Sequence, residues 1–505
     1  MRLFNTLLFV LFALSANAAD GTVGTVSVQK GNDLSVNGEA PLSLTLDGKD
    51  HQSCQFLSKR APDESHEFTW KEVTTTRGGE LAEILGDQLR SVDSLVVKGY
   101  VNDKDFHAMW DASLYGYLSV INLKNAVLEN NAVPDTAFFH ENEQYEGSSH
   151  EIFYYIGLRK IILPEGLEKI GEGAFYQASA LRQVNFPSTL RYIGDFAFNA
   201  TKLEMNQLVI PEGVEEINQY AFAFCRKLKA QVTLPSTIKK IGEWAFYGCP
   251  ITSINLPEGL ESLGSLAFWD CDLREVSIPS SCHEFNEGWQ FGFNRNLEKM
   301  HLPEGMTEIP DHFAVDCFRL REVNFPHTLK HIGEKAFSLC ISLKNVDLPL
   351  GMQSLGEEAF SELEALEQIV FPASMKSLGK NSCSYWKNIK RIYCAAMEPP
   401  VCDPTDGGVF SGFDFPDGLN TPVVYVPKGS INKYKDTSRN CMGWEKFWNY
   451  VEIDPSEFPT TAIASPAIVD TQSKDNSIYD LMSRKVERPQ KGNIYIQNGK
   501  KFVAK

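Results

Sequence analysis

From residue 158 to residue 372 the chain repeats one hydrophobic pattern: a leucine or isoleucine, two variable positions, an apolar residue, one outward position, another apolar residue, then proline. The prolines are Pro164, Pro187, Pro211, Pro235, Pro257, Pro279, Pro303, Pro326, Pro349 and Pro372, and the steps between them run 23, 24, 24, 22, 22, 24, 23, 23 and 23 residues. Alternation with a period of two predicts a short strand in each unit, with Val184 and Phe186 inward and Gln183 and Asn185 outward. Proline ends the strand because it offers no ladder donor. Ten units of this size predict a solenoid, since one unit has too little apolar surface for a core and must be covered by its neighbours.

After each proline the pattern continues as x-x-L-x-x-I-G-x-x-A-F-x-x-C. The glycine (Gly171, Gly194, Gly242, Gly264, Gly333, Gly356, Gly379) predicts a turn that needs positive φ or close backbone approach. The Ala-Phe pairs, from Ala174-Phe175 to Ala359-Phe360, predict a tight return in which Ala permits contact and Phe fills the interior. Each unit is thus expected to supply one strand and one return arm. Two units depart: Phe285 to Gln290 lacks the Ala-Phe pair, and Ile309-Pro310 puts proline in the glycine slot. These neighbouring units are expected to bend or loosen the stack near 283 to 316.

Both flanks read as caps. Gly78 to Leu89 and Asn102 to Ala112 predict helices, the second capped by Asn102 or Asp103, and Ser94 to Val97 and Leu118 to Leu123 predict strands. Residues 19–75 are read as a small β-rich region, 76–133 as an α/β cap, and 134–396 as the repeats, with a polar insertion from His140 to His150. Residues 397–454 are expected to add a last strand and cover the sheet edge. A Pro, Ser, Thr and Ala-rich linker spans 455–475, and 476–505 predict a β-hairpin tail.

The motif L-P-x-x-L-x-x-I-G-x-x-A-F-x-x-C, repeated ten times, closely resembles the BspA-like class of bacterial leucine-rich repeats. The resemblance implies a β-rich α/β fold: a leucine-rich-repeat solenoid, curved and right-handed, with a parallel β-sheet on the concave face and caps at both ends. It further implies adhesion, with extracellular or host proteins as partners. The 397–454 module resembles the family's terminal module, and the tail resembles those of secreted and surface proteins in the Bacteroidetes, which makes it a candidate sorting signal.

Met1-Arg2, the apolar run Leu7 to Leu14 and Ala16-Asn17-Ala18 match a signal peptide, residues 1–18, so a secreted or cell-surface location is expected. No cysteine follows that site closely, and no later stretch is long and apolar enough to span a bilayer. A formal net charge of −17 opposes nucleic-acid binding. Of 11 cysteines, Cys225, Cys249, Cys271, Cys317 and Cys340 lie three positions after the phenylalanine slot, and Cys282, Cys383 and Cys394 replace core residues. These eight read as small hydrophobes. Cys54, Cys402 and Cys441 remain, with Cys402 to Cys441 the candidate bridge.

No catalytic, phosphate-binding or metal motif occurs, so a non-enzyme without cofactor or metal is expected. Asp103 with Asp105, and Asp403 with Asp406, read as capping or turn residues rather than cation ligands. Two surfaces are candidates instead. The outward strand columns run Lys160, Gln183, Gln207, Gln231, Ser253, Glu275, Lys299 onward, and beside them Ile162, Asn185, Val209, Thr233, Asn255, Ser277, His301, Asn324 onward. With strands about 4.8 Å apart they form a polar face about 45 Å long, suited to an extended protein or glycan, or merely solvating the sheet. The second surface is an aromatic strip, Phe196, Tyr220, Trp244 and Leu266 in the slot before the Ala-Phe pair, with Tyr247 and Trp269 after it. It is a contact surface if those slots face solvent, and packing between return arms if they do not.

Overall fold

The computed structural model describes residues 66–139, 156–403, 408–412, 422–436 and 443–459, together with the backbone of a few strands elsewhere. The chain divides into two units, Met1–Ala462 and Ile463–Lys505. The first is a parallel β-solenoid. The L-x-x-V-x-L strands of successive repeats pair in parallel in several runs, among them Lys160–Ile162 with Gln183–Val184, Gln207–Val209 through Gln231–Thr233 to Ser253–Asn255, and Glu275–Ser277 through Lys299–His301 to Glu322–Asn324. A second parallel ladder, absent from the sequence reading, comes from the two residues before the glycine slot: Lys169–Ile170, Tyr192–Ile193, Glu216–Ile217, Lys240–Ile241, Ser262–Leu263 and Glu284–Phe285. The return arm makes a third line of backbone bonds, such as Phe222 N–H to Ala245 O at 2.9 Å and Phe246 N–H to Ala267 O at 2.9 Å. A repeat is therefore two strands and a turn, all bonded to the neighbouring repeats.

The glycine slot demands close approach, not positive φ. A Cβ on Gly264 would lie 2.4 Å from the Glu243 nitrogen of the preceding repeat, and one on Gly242 would lie 2.7 Å from Gln219 N. Positive φ falls two residues later instead, on Phe196, Tyr220, Trp244 and Leu266 at +55 to +57°. Inside the coil the phenylalanines form a ladder: Phe175, Phe198, Phe222, Phe246, Phe268 and Phe291 are all 0 % exposed and stack at 5.2 to 5.6 Å with 4 to 11° between planes.

The irregular units act where expected. The glycine-slot N–H normally donates to the preceding repeat, as Gly333 does to Ile309 O at 2.9 Å. Pro310 has no N–H, and the second ladder is interrupted between Glu284–Phe285 and Glu308–Ile309. The next return reads Phe313-Ala314 rather than Ala-Phe, and Phe313 meets Phe291 edge-on at 76°. Across the same repeats the first ladder continues through Glu275–Ser277, Lys299–His301 and Glu322–Asn324.

The cysteine column is buried, and its thiols also serve as donors. Cys225, Cys249, Cys271 and Cys317 each place Sγ 2.9 to 3.3 Å from the carbonyl of the preceding repeat's ladder phenylalanine. Asn294 Nδ2 and Trp386 Nε1 fill the same role at 2.7 Å. The column thus selects a small or apolar group able to satisfy a carbonyl that water cannot reach. Burial pushes the Cys317 thiol up to about 12 and the Cys394 thiol up to about 11. Cys402 is buried, while Cys54 and Cys441 lie outside the described residues, as do the signal segment and the insertion 140–150.

Successive repeats also alternate in kind. After proline the chain reads Glu165-Gly166, Ser188-Thr189, Glu212-Gly213, Ser236-Thr237, Glu258-Gly259, Ser280-Ser281, Glu304-Gly305 and His327-Thr328. In each pair the glycine N–H donates to the following repeat's hydroxyl at 2.9 to 3.0 Å, and that hydroxyl donates back to a carbonyl at 2.7 to 2.8 Å. The glutamate carboxylates accept the backbone N–H of Ser188, Ser236, Ser280 and His327. The hydrogen-bonded module here is two repeats long.

At the N-terminal end Trp70–Thr75, Ser94–Val101 and Val120–Leu128 join the first ladder in parallel, so the solenoid sheet starts at Trp70. Helix Asp103–Tyr115 begins at Asn102 with a capping box, and the Asp105 carboxylate also accepts from Gly79 N and Leu81 N, which identifies it as a cap. The helix read from Gly78 is shorter, Leu81–Leu85, continuing as a 3-10 turn, Gly86–Arg90. At the other end Val423–Pro427 and Tyr450–Ile453 extend the sheet beyond Arg391–Cys394, over a plug of buried Tyr434, Trp444 and Phe447. The second unit has three antiparallel strands, Ile478–Tyr479, Ile494–Gln497 and Lys500–Val503.

Candidate functional site

The outward strand positions are placed by the two-residue pleat and stand on the solvent side. Gln207, Gln231, Val209, Thr233 and Asn255 are exposed and Ser253 is half-buried. Two expected contacts are different. Asn185 Oδ1 accepts from Leu163 N–H at 2.7 Å while its Nδ2 donates to Leu163 O at 3.0 Å, and Asn324 holds Leu302 in the same way at 2.8 and 3.0 Å. Each side chain replaces the backbone acceptor used elsewhere, such as Thr233 O for Ile210 N–H. Their amides are engaged in holding the stack. His301 is half-buried with Nε2 3.2 Å from Glu275, beside a Lys299 to Glu322 ion pair at 2.9 Å.

The aromatic strip is built by the left-handed turn residues. Trp244 and its equivalents adopt a conformation that costs an ordinary L residue about 1 kcal/mol. Their N–H groups bond across the repeats, Phe196 to Gln219 O, Tyr220 to Glu243 O and Trp244 to Ser265 O, at 2.9 to 3.0 Å. Their rings then stack along the coil, Phe196 on Tyr220 at 4.6 Å and 7°, Tyr220 on Trp244 at 5.3 Å and 15°. All three are half-buried, as are Leu266 and Trp269. Tyr247 is 2 % exposed and packs under Trp244 at 4.4 Å, so its ring belongs to the interior and not to a contact surface. Burial pushes the Tyr220 hydroxyl up to about 12. Stacking leaves ring edges at the surface while the faces between Phe196, Tyr220 and Trp244 are taken by one another. That arrangement suits a structural ladder better than a platform for sugar rings.

The strip extends farther than the sequence reading had it. Trp289 occupies the Trp244 slot and stacks on His312 at 3.6 Å and 8°, and Trp269 lies against Trp289 and Phe293 at 5.2 and 4.5 Å. Gly292 makes room, since a Cβ there would lie 2.2 Å from the Trp269 ring. Aligning Gly288-Trp289-Gln290-Phe291 with Glu243-Trp244-Ala245-Phe246 reveals the slot, which the missing Ala-Phe pair hides. Burial lowers the His312 imidazole from its ordinary value.

Among the described residues no group of three or more His, Cys, Asp or Glu is arranged to hold a metal, and no helix is long and apolar enough to cross a membrane. No curated protein matches the chain. A leucine-rich repeat protein from Bacteroides ovatus ATCC 8483 is similar in structure, with 20% identity over 74% of this chain and 93% of that one and a TM-score of 0.40. A leucine rich cell surface protein from Faecalibacterium prausnitzii A2-165 is 21% identical over 56% of this chain and 84% of that one, with a TM-score of 0.31. The leucine rich repeat protein of T. pallidum is 29% identical over 32% of this chain and 77% of that one, with a TM-score of 0.29. The family described as BspA type leucine rich repeat region matches in 6 copies, over residues 148–231, 230–337 and 312–397. With its period, phenylalanine ladder and paired parallel strands accounted for, the chain belongs through these residues to the BspA type of leucine-rich-repeat proteins.

Proposed function

We propose that the chain is an exported, surface-associated recognition and adhesion protein that binds a macromolecular partner along its outward strand face. The observation that carries this reading is a set of in-register outward side chains, Gln207, Gln231, Ser253, Thr233 and Asn255, with no hydrogen-bond partner within the described residues. Asn185 and Asn324 on the same face are tied to neighbouring repeats, whereas these side chains retain bonding capacity for something else. Export is supported by the leader pattern of residues 1–18; the resemblance points to an extracellular host protein as partner, and the polar strand face itself to a glycan as the alternative. The matching family is a repeat region rather than a catalytic one, which agrees with a binding role.

Capture of host extracellular-matrix proteins by residues 19–505 tests the reading. Capture that is lost on Gln207→Lys with Gln231→Lys supports it, and capture indifferent to those changes refutes the strand face as the site. Fractionation of cells with and without residues 476–505 tests the tail, whose sorting role fails if localisation is unchanged.

A further inference from the structure

The outward strand face is not uniform. Over four consecutive repeats its two columns hold Gln183, Gln207, Gln231 and Ser253, and beside them Asn185, Val209, Thr233 and Asn255, with no charged residue among them. Each of the next four repeats brings a charge, Glu275, Lys299, Glu322 and Asp347. Of these, Lys299 pairs with Glu322 at 2.9 Å, and His301 Nε2 lies 3.2 Å from Glu275. In a chain of net charge −17 the uncharged field is therefore a distinct surface. Its central side chains are unbonded, exposed or half-exposed, and held in register by the ladder.

We infer that this field, centred on Gln207, Gln231, Thr233 and Asn255, is a site for an uncharged polysaccharide. The inference rests on the proposal that the strand face is the binding face and names its ligand. Amides and hydroxyls both donate and accept, so they pair best with a partner whose groups do the same at every unit, which a chain of neutral sugars provides. The three in-register rungs from Gln207–Val209 to Ser253–Asn255 give a run of such groups about 10 Å long, with the spacing set by the strands. An anionic polymer finds no countercharge here and meets an acidic protein. A protein partner needs aromatic, arginine or apolar anchors, and the field's exposed apolar side chain is Val209 alone. Strand addition is not offered either, since these side chains stand on a sheet face and not at an edge.

Affinity electrophoresis of residues 19–505 through gels containing dextran, laminarin or yeast mannan, with alginate as the anionic control, tests this. The acidic chain migrates strongly, so retardation is read directly. At least one neutral polymer is expected to retard it, equally at low and high salt, because no ion pair is involved. Gln207→Ala, Gln231→Ala and Asn255→Ala together should weaken retardation about tenfold or more, with circular dichroism and melting unchanged. Glu275→Ala, Lys299→Ala and Glu322→Ala together should leave it intact. Retardation by no neutral polymer, or equal retardation of the field variant, overturns the inference. If the field variant loses capture of a matrix protein while no polysaccharide binds, the strand-face proposal stands and the polysaccharide falls; if it keeps every interaction, both fall.

Discussion

Thr237→Val tests whether the two-repeat module is real. Thr237 Oγ1 accepts from Gly213 N–H at 2.9 Å and donates to Val214 O at 2.8 Å, linking its own repeat to the one before. Valine keeps the shape and removes both bonds. Each neutral hydrogen bond contributes about 1 kcal/mol net. Gly213 is half-buried, so water recovers part of the loss, and a destabilisation of about 1 to 2 kcal/mol follows. Urea denaturation reads the total, and amide exchange at Gly213 should accelerate about tenfold, the factor that corresponds to 1.4 kcal/mol. Thr233→Val, four residues earlier on the unbonded outward column, is the control and should change stability by less than about 0.5 kcal/mol. Equal effects at the two threonines, or unchanged protection of Gly213, would refute the module.

Trp244 sits at φ +57°, so Trp244→Gly should destabilise less than Trp244→Ala, by about 1 kcal/mol in thermal or urea unfolding, reversing the usual order for the two residues. The buried thiols, raised by desolvation, should resist a thiol reagent at pH 8 in the native state and react on unfolding; fast labelling of Cys249 or Cys271 in the folded chain would contradict their placement. His312, its pKa lowered by burial with Glu334, Lys335 and Asp311 nearby, is held neutral in the folded state. Its contribution is present above the ordinary value of 6.5 and is lost as pH falls through that value toward the lowered one, so His312→Phe, which keeps the stack on Trp289, should lose less stability than the parent between pH 7 and 5.

Much of the molecule is legible in its sequence for a simple reason: a solenoid repeats its environment, so each structural slot is sampled ten times. Phenylalanine every turn declares the interior, and cysteine three positions later declares a buried column. The two-residue strands such as Lys240–Ile241 escaped because they are too short to show alternation. Trp289 escaped because Gln290 stands where alanine was expected. The Glu-Gly and Ser-Thr alternation was open to view, and its doubling of the period gained meaning only with the hydrogen bonds between repeats.

The sequence by itself determined the period, the strand that carries the outward columns, the core columns and the location of the irregular units around Pro310. Tertiary structure alone decided which outward groups are free. Asn185 and Asn255 hold equivalent positions, yet Asn185 is spent on Leu163 while Asn255 is not. Phe196, Tyr220 and Trp244 read either as a contact strip or as packing between return arms, and repeat spacing brings them to ring-stacking distance and closes the faces between them. In both cases the other half of the contact belongs to the neighbouring repeat, and only folding sets the distance to it.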